Sequence, residues 1–267
     1  MTYKYALSGN VRICYHERGS GEPLVLIMGF GADGNVWEKH AAVYEKHFRC
    51  IVIDNRGVGL SDQPPGPYST TIMAADTIAV MDHAGVDQAR VAGISMGGAI
   101  AQELAINYPL RVKSLVLVST WSRFNNYATK VYENLKHLRP SVSGEYFMEL
   151  LQLWIFAPSY YERHAAELHA DAVAEGNNER PQTREGFEGQ LDACIHHNST
   201  DRLNEINVPV LITVGAQDIF TPPEFSELIH RNIKQSLLSS YPLTGHVHHW
   251  EDLETFNKET LGFLLNN

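Results

Sequence analysis

The sequence predicts an α/β fold: a mostly parallel central sheet flanked by helices, with an antiparallel N-terminal edge and an inserted helical cap. Three observations predict it. Nearly continuous hydrophobic runs at 23–30, 49–56, 89–95, 112–120 and 208–218 are the pattern of strands buried on both faces, as in parallel sheets covered by helices. Helix-like segments alternate with these runs, as crossover connections require. The first residues instead alternate apolar and polar side chains about Gly9-Asn10, a hairpin signal.

In order, the strands "TYKYALSG" and "VRICYHERG" form the antiparallel edge and "PLVLIMGF" the first buried strand. The helix "NVWEKHAAVYEKH" leads to the strand "RCIVIDNR", and the helix "TIMAADTIAVMDHAG" to "ARVAGIS". "MGGAIAQELAINYP" is a helix, followed by the strand "VKSLVLVST". Residues 122–203 then hold no buried strand but much helical, aromatic and charged pattern, as in "EYFMELLQLWIF". About eighty residues is too long for a plain loop. They are expected to form a helical cap subdomain over the carboxyl edge of a core domain comprising 1–121 and 204–267, where open α/β sheets bind ligands. After the strand "VPVLITVGAQD" come the helix "PPEFSELIHRN", a short strand "SLLSSYP" and the closing helix "DLETFNKETLGFLL".

The charge balance narrows the partners. With 21 basic and 31 acidic side chains the net charge is -10, which repels phosphate backbones and anionic lipid, so neither nucleic acid nor a membrane surface is an expected partner. Cys14, Cys50 and Cys194 are odd in number and far apart, against a disulfide framework. Without a signal pattern or an apolar span, a cytoplasmic location is expected.

One glycine motif invites a cofactor reading. Gly29-Phe30-Gly31-Ala32-Asp33-Gly34 matches G-x-G-x-x-G after a strand, and Asp54 follows where a ribose-binding acid would sit. But the unit is third in strand order, and Asp54 opens a glycine-rich loop of its own, "DNRGVGLSD". A turn presenting backbone N–H groups is the expectation, no cofactor is called for, and Asp54 with Arg56 reads as a loop-organising pair.

A second motif specifies chemistry more closely. Gly93-Ile94-Ser95-Met96-Gly97 is a G-x-S-x-G between a strand and a helix, the context of a nucleophile elbow. Ser95 must sit on a strained turn, so the positions two before and two after must lack bulk. A serine hydroxyl needs a base, and the base an orienting acid. Asp218 closes "PVLITVGAQD" and supplies the acid, whereas the earlier strand end holds Ser119 and Thr120, which cannot. The base is expected after the next strand, at His246 in "PLTGHVHHWED".

On these residues the chain resembles the α/β-hydrolase fold enzymes over essentially its whole length, through "VLIMGFGADGNVW", "VIDNRGVGLSDQPPGPYS", "VAGISMGGAIAQELAINYPLRVKSLVLVS", "VPVLITVGAQDIFTPPE" and "GHVHHWEDLETFNKETLGFL". It is most similar to serine-nucleophile esterases and lactonases, the 3-oxoadipate enol-lactonases in particular through "PPGPYS" and "GISMGG", and "SMGGA" is also similar to C–C bond hydrolases of ring-cleavage products. The resemblance implies an oxyanion hole from the backbone N–H groups of Phe30 and Met96. Many relatives carry His-Gly where this chain has Met28-Gly29, a departure that leaves a backbone donor in place. Serine at the elbow excludes the carboxylate-nucleophile dehalogenases and epoxide hydrolases.

The expected substrate pocket includes Gly29, Trp121, Phe124, Trp154 and Val247, with Met96 also a neighbour. Trp121, Phe124, Trp154, Phe156 and Phe187 individually read as core, and collectively as an apolar acyl or ring pocket. His196 and His197 read as a solvated pair, with contact to the active site from the base of the cap as the alternative. A metal is not expected: His246-Val247-His248 begins a zinc-hydrolase H-x-H pattern, but the residues after it are wrong and no second ligand cluster appears. His248 and His249 read as bystanders leading into the closing helix, and Glu251 and Asp252 as acids favoured by a helix N-terminus. The expected function is therefore hydrolysis of a small carboxylic ester or lactone through an acyl-enzyme. C–C hydrolysis or cofactor-free perhydrolysis on the same triad, and a non-catalytic small-lactone receptor, are the alternatives. Oligomeric state is not legible.

Overall fold

The computed structural model describes residues 2–267. Eight strands form one sheet: β1 (Tyr3–Ser8), β2 (Val11–Arg18), β3 (Glu22–Ile27), β4 (Phe48–Ile53), β5 (Ala89–Ile94), β6 (Val112–Val118), β7 (Val210–Gly215) and β8 (Ser236–Tyr241), in spatial order β1-β2-β4-β3-β5-β6-β7-β8. β2 pairs antiparallel with β1 and β4, and all later pairings are parallel. Helices α1 (Glu38–Tyr44), α2 (Thr70–His83) and α3 (Met96–Asn107) follow β3, β4 and β5. Beyond β6 come α4 (Asn126–Leu138), α5 (Gly144–Ile155), α6 (Pro158–Gly176) and α7 (Arg184–His196). The chain closes through α8 (Pro223–Asn232), α9 (His248–Glu251) and α10 (Leu253–Asn266).

Strand alternation divides the core between two faces. Val25, Ile27, Val91, Leu115, Leu117 and Ile212 pack with Met73, Ile100 and Leu104 of α2 and α3. Leu24, Leu26, Val52, Ile94, Val116 and Val118 face Trp37, Tyr44, Phe256 and Leu264 on the α1 and α10 side. Helix α3 lies against the sheet because glycine permits it: a Cβ on Gly97 would strike the Ile27 carbonyl, and one on Gly93 the Gly97 carbonyl.

The parallel register decides where the site falls. Ile27 pairs with Gly93, Ile94 with Val118, Val118 with Thr213 and Gly215 with Tyr241. The segments that follow these strands, carrying Phe30, Ser95, Ser119, Asp218 and His246, therefore emerge along one carboxyl edge. Residues 122–203 contain α4–α7 and no strand. The feet of this insertion are tied by an isolated bridge between Arg123 and Asn198 and by Ser199 N–H donating to Ser122 O at 2.9 Å.

Two local expectations shift. The segment expected to be one helix over 35–47 opens instead as a 3₁₀ turn, Gly34–Trp37, capped by the Asp33 carboxylate accepting from Asn35 N–H. β4 stops at Ile53 because Asp54 turns away: its Oδ1 accepts from Gly34 N–H at 2.8 Å and its Oδ2 from Leu60 N–H at 2.9 Å. Asp54 thus organises two loops, but Arg56 is not its partner. Arg56 forms a buried two-pronged pair with Asp76 of α2.

Candidate active site

Ser95 stands between β5 and α3 with φ 54° and ψ -115°, a conformation that non-glycine residues rarely adopt. Both of its backbone polar groups are anchored: Ser95 N–H donates to Val118 O at 2.8 Å, and Thr120 Oγ1 donates to Ser95 O at 2.8 Å. A Cβ on Gly29 would lie 3.2 Å from Ser95 Cβ, so the β3 loop passes directly over the serine. The cost of holding this φ, of order 1–3 kcal/mol, is carried by those anchors and by the packing of α3.

Asp218 and His246 meet. His246 Nδ1 lies 2.9 Å from Asp218 Oδ2, and both side chains are buried. Asp218 Oδ1 accepts from Phe220 N–H and Thr221 N–H, each at 2.8 Å. Thr221 Oγ1 sits 2.9 Å from Asp218 Oδ2, 2.9 Å from His246 Nδ1 and 3.0 Å from Ser119 O. A carboxylate so fixed accepts the Nδ1 proton and leaves the lone pair of Nε2 free, which is the tautomer a base requires. Ser95 Oγ and His246 Nε2 form no hydrogen bond in this conformation among the described residues. Such contacts tighten when substrate binds.

Neither Phe30 N–H nor Met96 N–H donates to an acceptor among the described residues. The neighbouring Gly31 N–H is held by Gln190 Oε1 of α7 at 2.9 Å, and Gln190 Nε2 donates to Arg56 O at 2.8 Å. The Phe30 loop is thus braced from the insertion.

A cavity of about 280 Å³ opens over Ser95 and His246, between the strand-end loops and the insertion. Gly29 and Val247 line it, together with Phe147, Leu151, Ile155, Phe156, Phe187 and Phe220. Arg139, Asp171 and Glu175 supply charge on its wall. Four expected pocket residues, Trp121, Phe124, Trp154 and Met96, do not line it. Trp121 is fully buried and stacks on Phe124 at 4.3 Å between ring centres, because the chain returns into the core directly after β6. Trp154 points the other way and lines a separate groove with Leu135 and Leu138 of α4, because α5 turns that face toward α4. The Met96 side chain is also in the core, behind the serine.

The three histidines of "HVHH" diverge. His246 turns to Asp218, while His248 Nδ1 meets Ser119 Oγ at 3.0 Å and its Nε2 meets Thr213 Oγ1 at 2.9 Å. His249 Nδ1 meets His40 Nε2 at 3.0 Å, and His40 Nδ1 meets Asn257 Oδ1 at 2.7 Å. His248 and His249 do open a helix, α9, and there they are buried, hydrogen-bonded structural groups. Burial pushes His248 down to about 3 and His40 to about 4. Glu251 lies in the first turn of α9, as expected, but it also does more. It ends α9, and its Oε1 accepts from Gly245 N–H at 2.8 Å and Ala157 N–H at 3.1 Å, pinning the His246 loop to the insertion. Burial raises its carboxyl above the usual range. His196 is exposed, but His197 is buried, meeting Thr70 Oγ1 at 2.8 Å, so they are not a solvated pair.

The supporting roles of four residues escape sequence reasoning. Thr221 leaves a faint trace, since Asp followed three residues later by Thr is a local side-chain-to-backbone pattern. Ser119, set aside as unable to serve as an acid, has φ 46° and donates its hydroxyl to His246 O at 2.7 Å. Gln190 and Glu251 reach partners across distances in sequence that carry no periodic signal. The one grouping of His, Cys, Asp or Glu atoms close enough for a metal, among the described residues, is Glu145, Glu149 and His169 on α5 and α6, remote from "HVHH".

Compared with known proteins, residues 22–147 match the alpha/beta hydrolase fold family. The chain is 30% identical to the proposed non-heme bromoperoxidase BpoC of Mycobacterium tuberculosis, covering 95% of this chain and 97% of that one. It is 28% identical to the proposed carbamate hydrolase RutD of Azorhizobium caulinodans, over 97% of each. Among solved structures, the enol-lactonase of Burkholderia xenovorans shares the fold with a TM-score of 0.89 at 23% identity, over 98% of this chain and 100% of that one.

Proposed function

This chain belongs to the alpha/beta hydrolase fold family, and from that premise we propose that it is a serine hydrolase of small carboxylic esters or lactones, with Ser95, His246 and Asp218 as its triad. The observation that carries the reading is the buried 2.9 Å contact between His246 and Asp218 beside a strained serine, at the floor of an apolar cavity. In this reading Ser95 Oγ attacks the carbonyl carbon while its proton passes to His246 Nε2. Phe30 N–H and Met96 N–H receive the oxyanion, an interaction worth several kcal/mol of barrier, about 3 for a single donor. His246 then protonates the departing alcohol, and water activated by the same imidazole releases the acid. Asp218 holds the imidazole's tautomer and stabilises its charged form. Residues 122–203 serve as a cap on the core of 1–121 and 204–267, and Phe147, Leu151 and Phe156 receive the acyl portion.

A fluorophosphonate should label Ser95 alone, readable by peptide mass, and Ser95→Ala should lower ester turnover by roughly 10³-fold or more. Turnover that survives in Ser95→Ala would sink the proposal, as would a large loss on adding EDTA. A panel of esters, lactones, carbamates and ring-fission products then orders the substrate classes.

The 30% identity to a proposed bromoperoxidase favours a second reaction on the same groups. Hydrogen peroxide in place of water would attack the acyl-enzyme and release a peracid. Peracid formation from acetate and peroxide, faster than ester hydrolysis, would put this reading first.

A further inference from the structure

Tyr132 of α4 has no place in the triad or the oxyanion hole, yet it is wedged against them. Its ring stacks on Phe220 at 4.8 Å between centres, and Phe220 meets the His246 ring edge-on at 5.1 Å. Phe30 approaches from the other side at 6.3 Å. Tyr132 is fully buried, and its hydroxyl has no hydrogen-bond partner among the described residues. A polar group buried without a partner is costly, so its persistence calls for a partner in another state of the molecule. Burial first, then Cys194 and Asp218, drive its ionisation well above the ordinary tyrosine value, and the Ser95 hydroxyl is the neighbour close enough to oppose them. A neutral phenol is a hydrogen-bond donor, and this one lies outside the cavity wall, so substrate does not reach it directly.

We propose that Tyr132 is a further catalytic group whose hydroxyl bonds to Ser95 Oγ, donating to that oxygen whenever it carries developing negative charge. The inference rests on Ser95 being the nucleophile. During attack the Oγ–carbon bond forms and the serine proton goes to His246. The phenol keeps its own proton throughout and only donates a hydrogen bond. During deacylation the same bond breaks, and Oγ, again gaining charge, takes its proton back from His246. The stabilisation would act in both half-reactions because Oγ is nucleophile in one and leaving group in the other.

Tyr132→Phe keeps the ring and removes the donor. Wild type, Ser95→Ala and Tyr132→Phe are compared for fluorophosphonate labelling rate, p-nitrophenyl acetate turnover and thermal melting. Tyr132→Phe should melt at or above the wild-type temperature and label at least tenfold more slowly, with a matching fall in kcat. Labelling within twofold of wild type, or a change confined to KM, overturns the proposal. As an independent readout in a protein that keeps the hydroxyl, 3-fluorotyrosine at position 132 should shift its fluorine resonance when Ser95 is phosphonylated, and an unmoved resonance also overturns it. Absence of wild-type labelling would instead remove the serine-hydrolase reading itself, a result distinct from any outcome in the phenylalanine variant.

Discussion

Individual histidines show how far identity alone can mislead. Thirteen occur in the chain, and those of "HVHH" are equivalent in composition but opposite in environment. His40 and His197 are pushed down to about 4, and His248 to about 3, in each case first by burial. A histidine whose folded value is depressed binds fewer protons folded than unfolded. The stability it contributes is complete above the unfolded value near 6.5 and is lost as pH falls from there toward the folded value. Each such group adds a slope of about 1.4 kcal/mol per pH unit in that window. The midpoint of urea unfolding is therefore expected to fall steeply from pH 6.5 to pH 4.5, and His248→Gln should flatten the slope while lowering stability at pH 7. An unfolding midpoint unchanged across that range would contradict the buried neutral state. Ser119 teaches the same lesson: it cannot act as an acid, but its hydroxyl holds the carbonyl of His246.

At the level of elements, the strands were readable because burial on both faces leaves an uninterrupted apolar run, and the elbow because glycine is obligatory where α3 crosses β3 and β5. Loop function was less readable. The loop carrying His246 is held by Glu251, whose single oxygen Oε1 takes both the Gly245 and Ala157 N–H groups. Glu251→Gln preserves an acceptor there, and is expected to keep near wild-type activity. Glu251→Ala strands two buried donors, at about 1–3 kcal/mol each, and should lower both melting temperature and kcat. Equal behaviour of the two variants would show that the clamp does not matter. Trp121, Phe124 and Trp154 lie off the cavity, since an aromatic in or beside an insertion can face core, cavity or outer groove, and periodicity does not choose among them.

Across the whole molecule, the cavity exists only where the insertion meets the strand ends. Leu151 and Phe156 come from one, Gly29 and Val247 from the other, and Gln190 ties α7 back to the loop of Phe30. Filling the insertion's side should therefore act on substrate length and leave the chemistry intact. Leu151→Trp is expected to lower kcat/KM for octanoate esters by tenfold or more, while acetate esters change less than threefold. A uniform loss across chain lengths would mean that the acyl group lies elsewhere. No helix among the described residues is long and apolar enough to cross a membrane.

What the sequence by itself determined is the fold, together with the chain order Ser95, Asp218, His246 on which the proposed triad rests. Buried strands, glycine at a close crossing and a serine between strand and helix are local constraints, written in adjacent positions. The tertiary structure alone decided which histidines are buried, which aromatics face the cavity, and that Ser119, Glu251 and Gln190 hold the loops of His246 and Phe30. Those contacts join residues up to 159 positions apart, and a hydrogen bond of that span is set by sheet register and helix packing, which no neighbouring residue encodes.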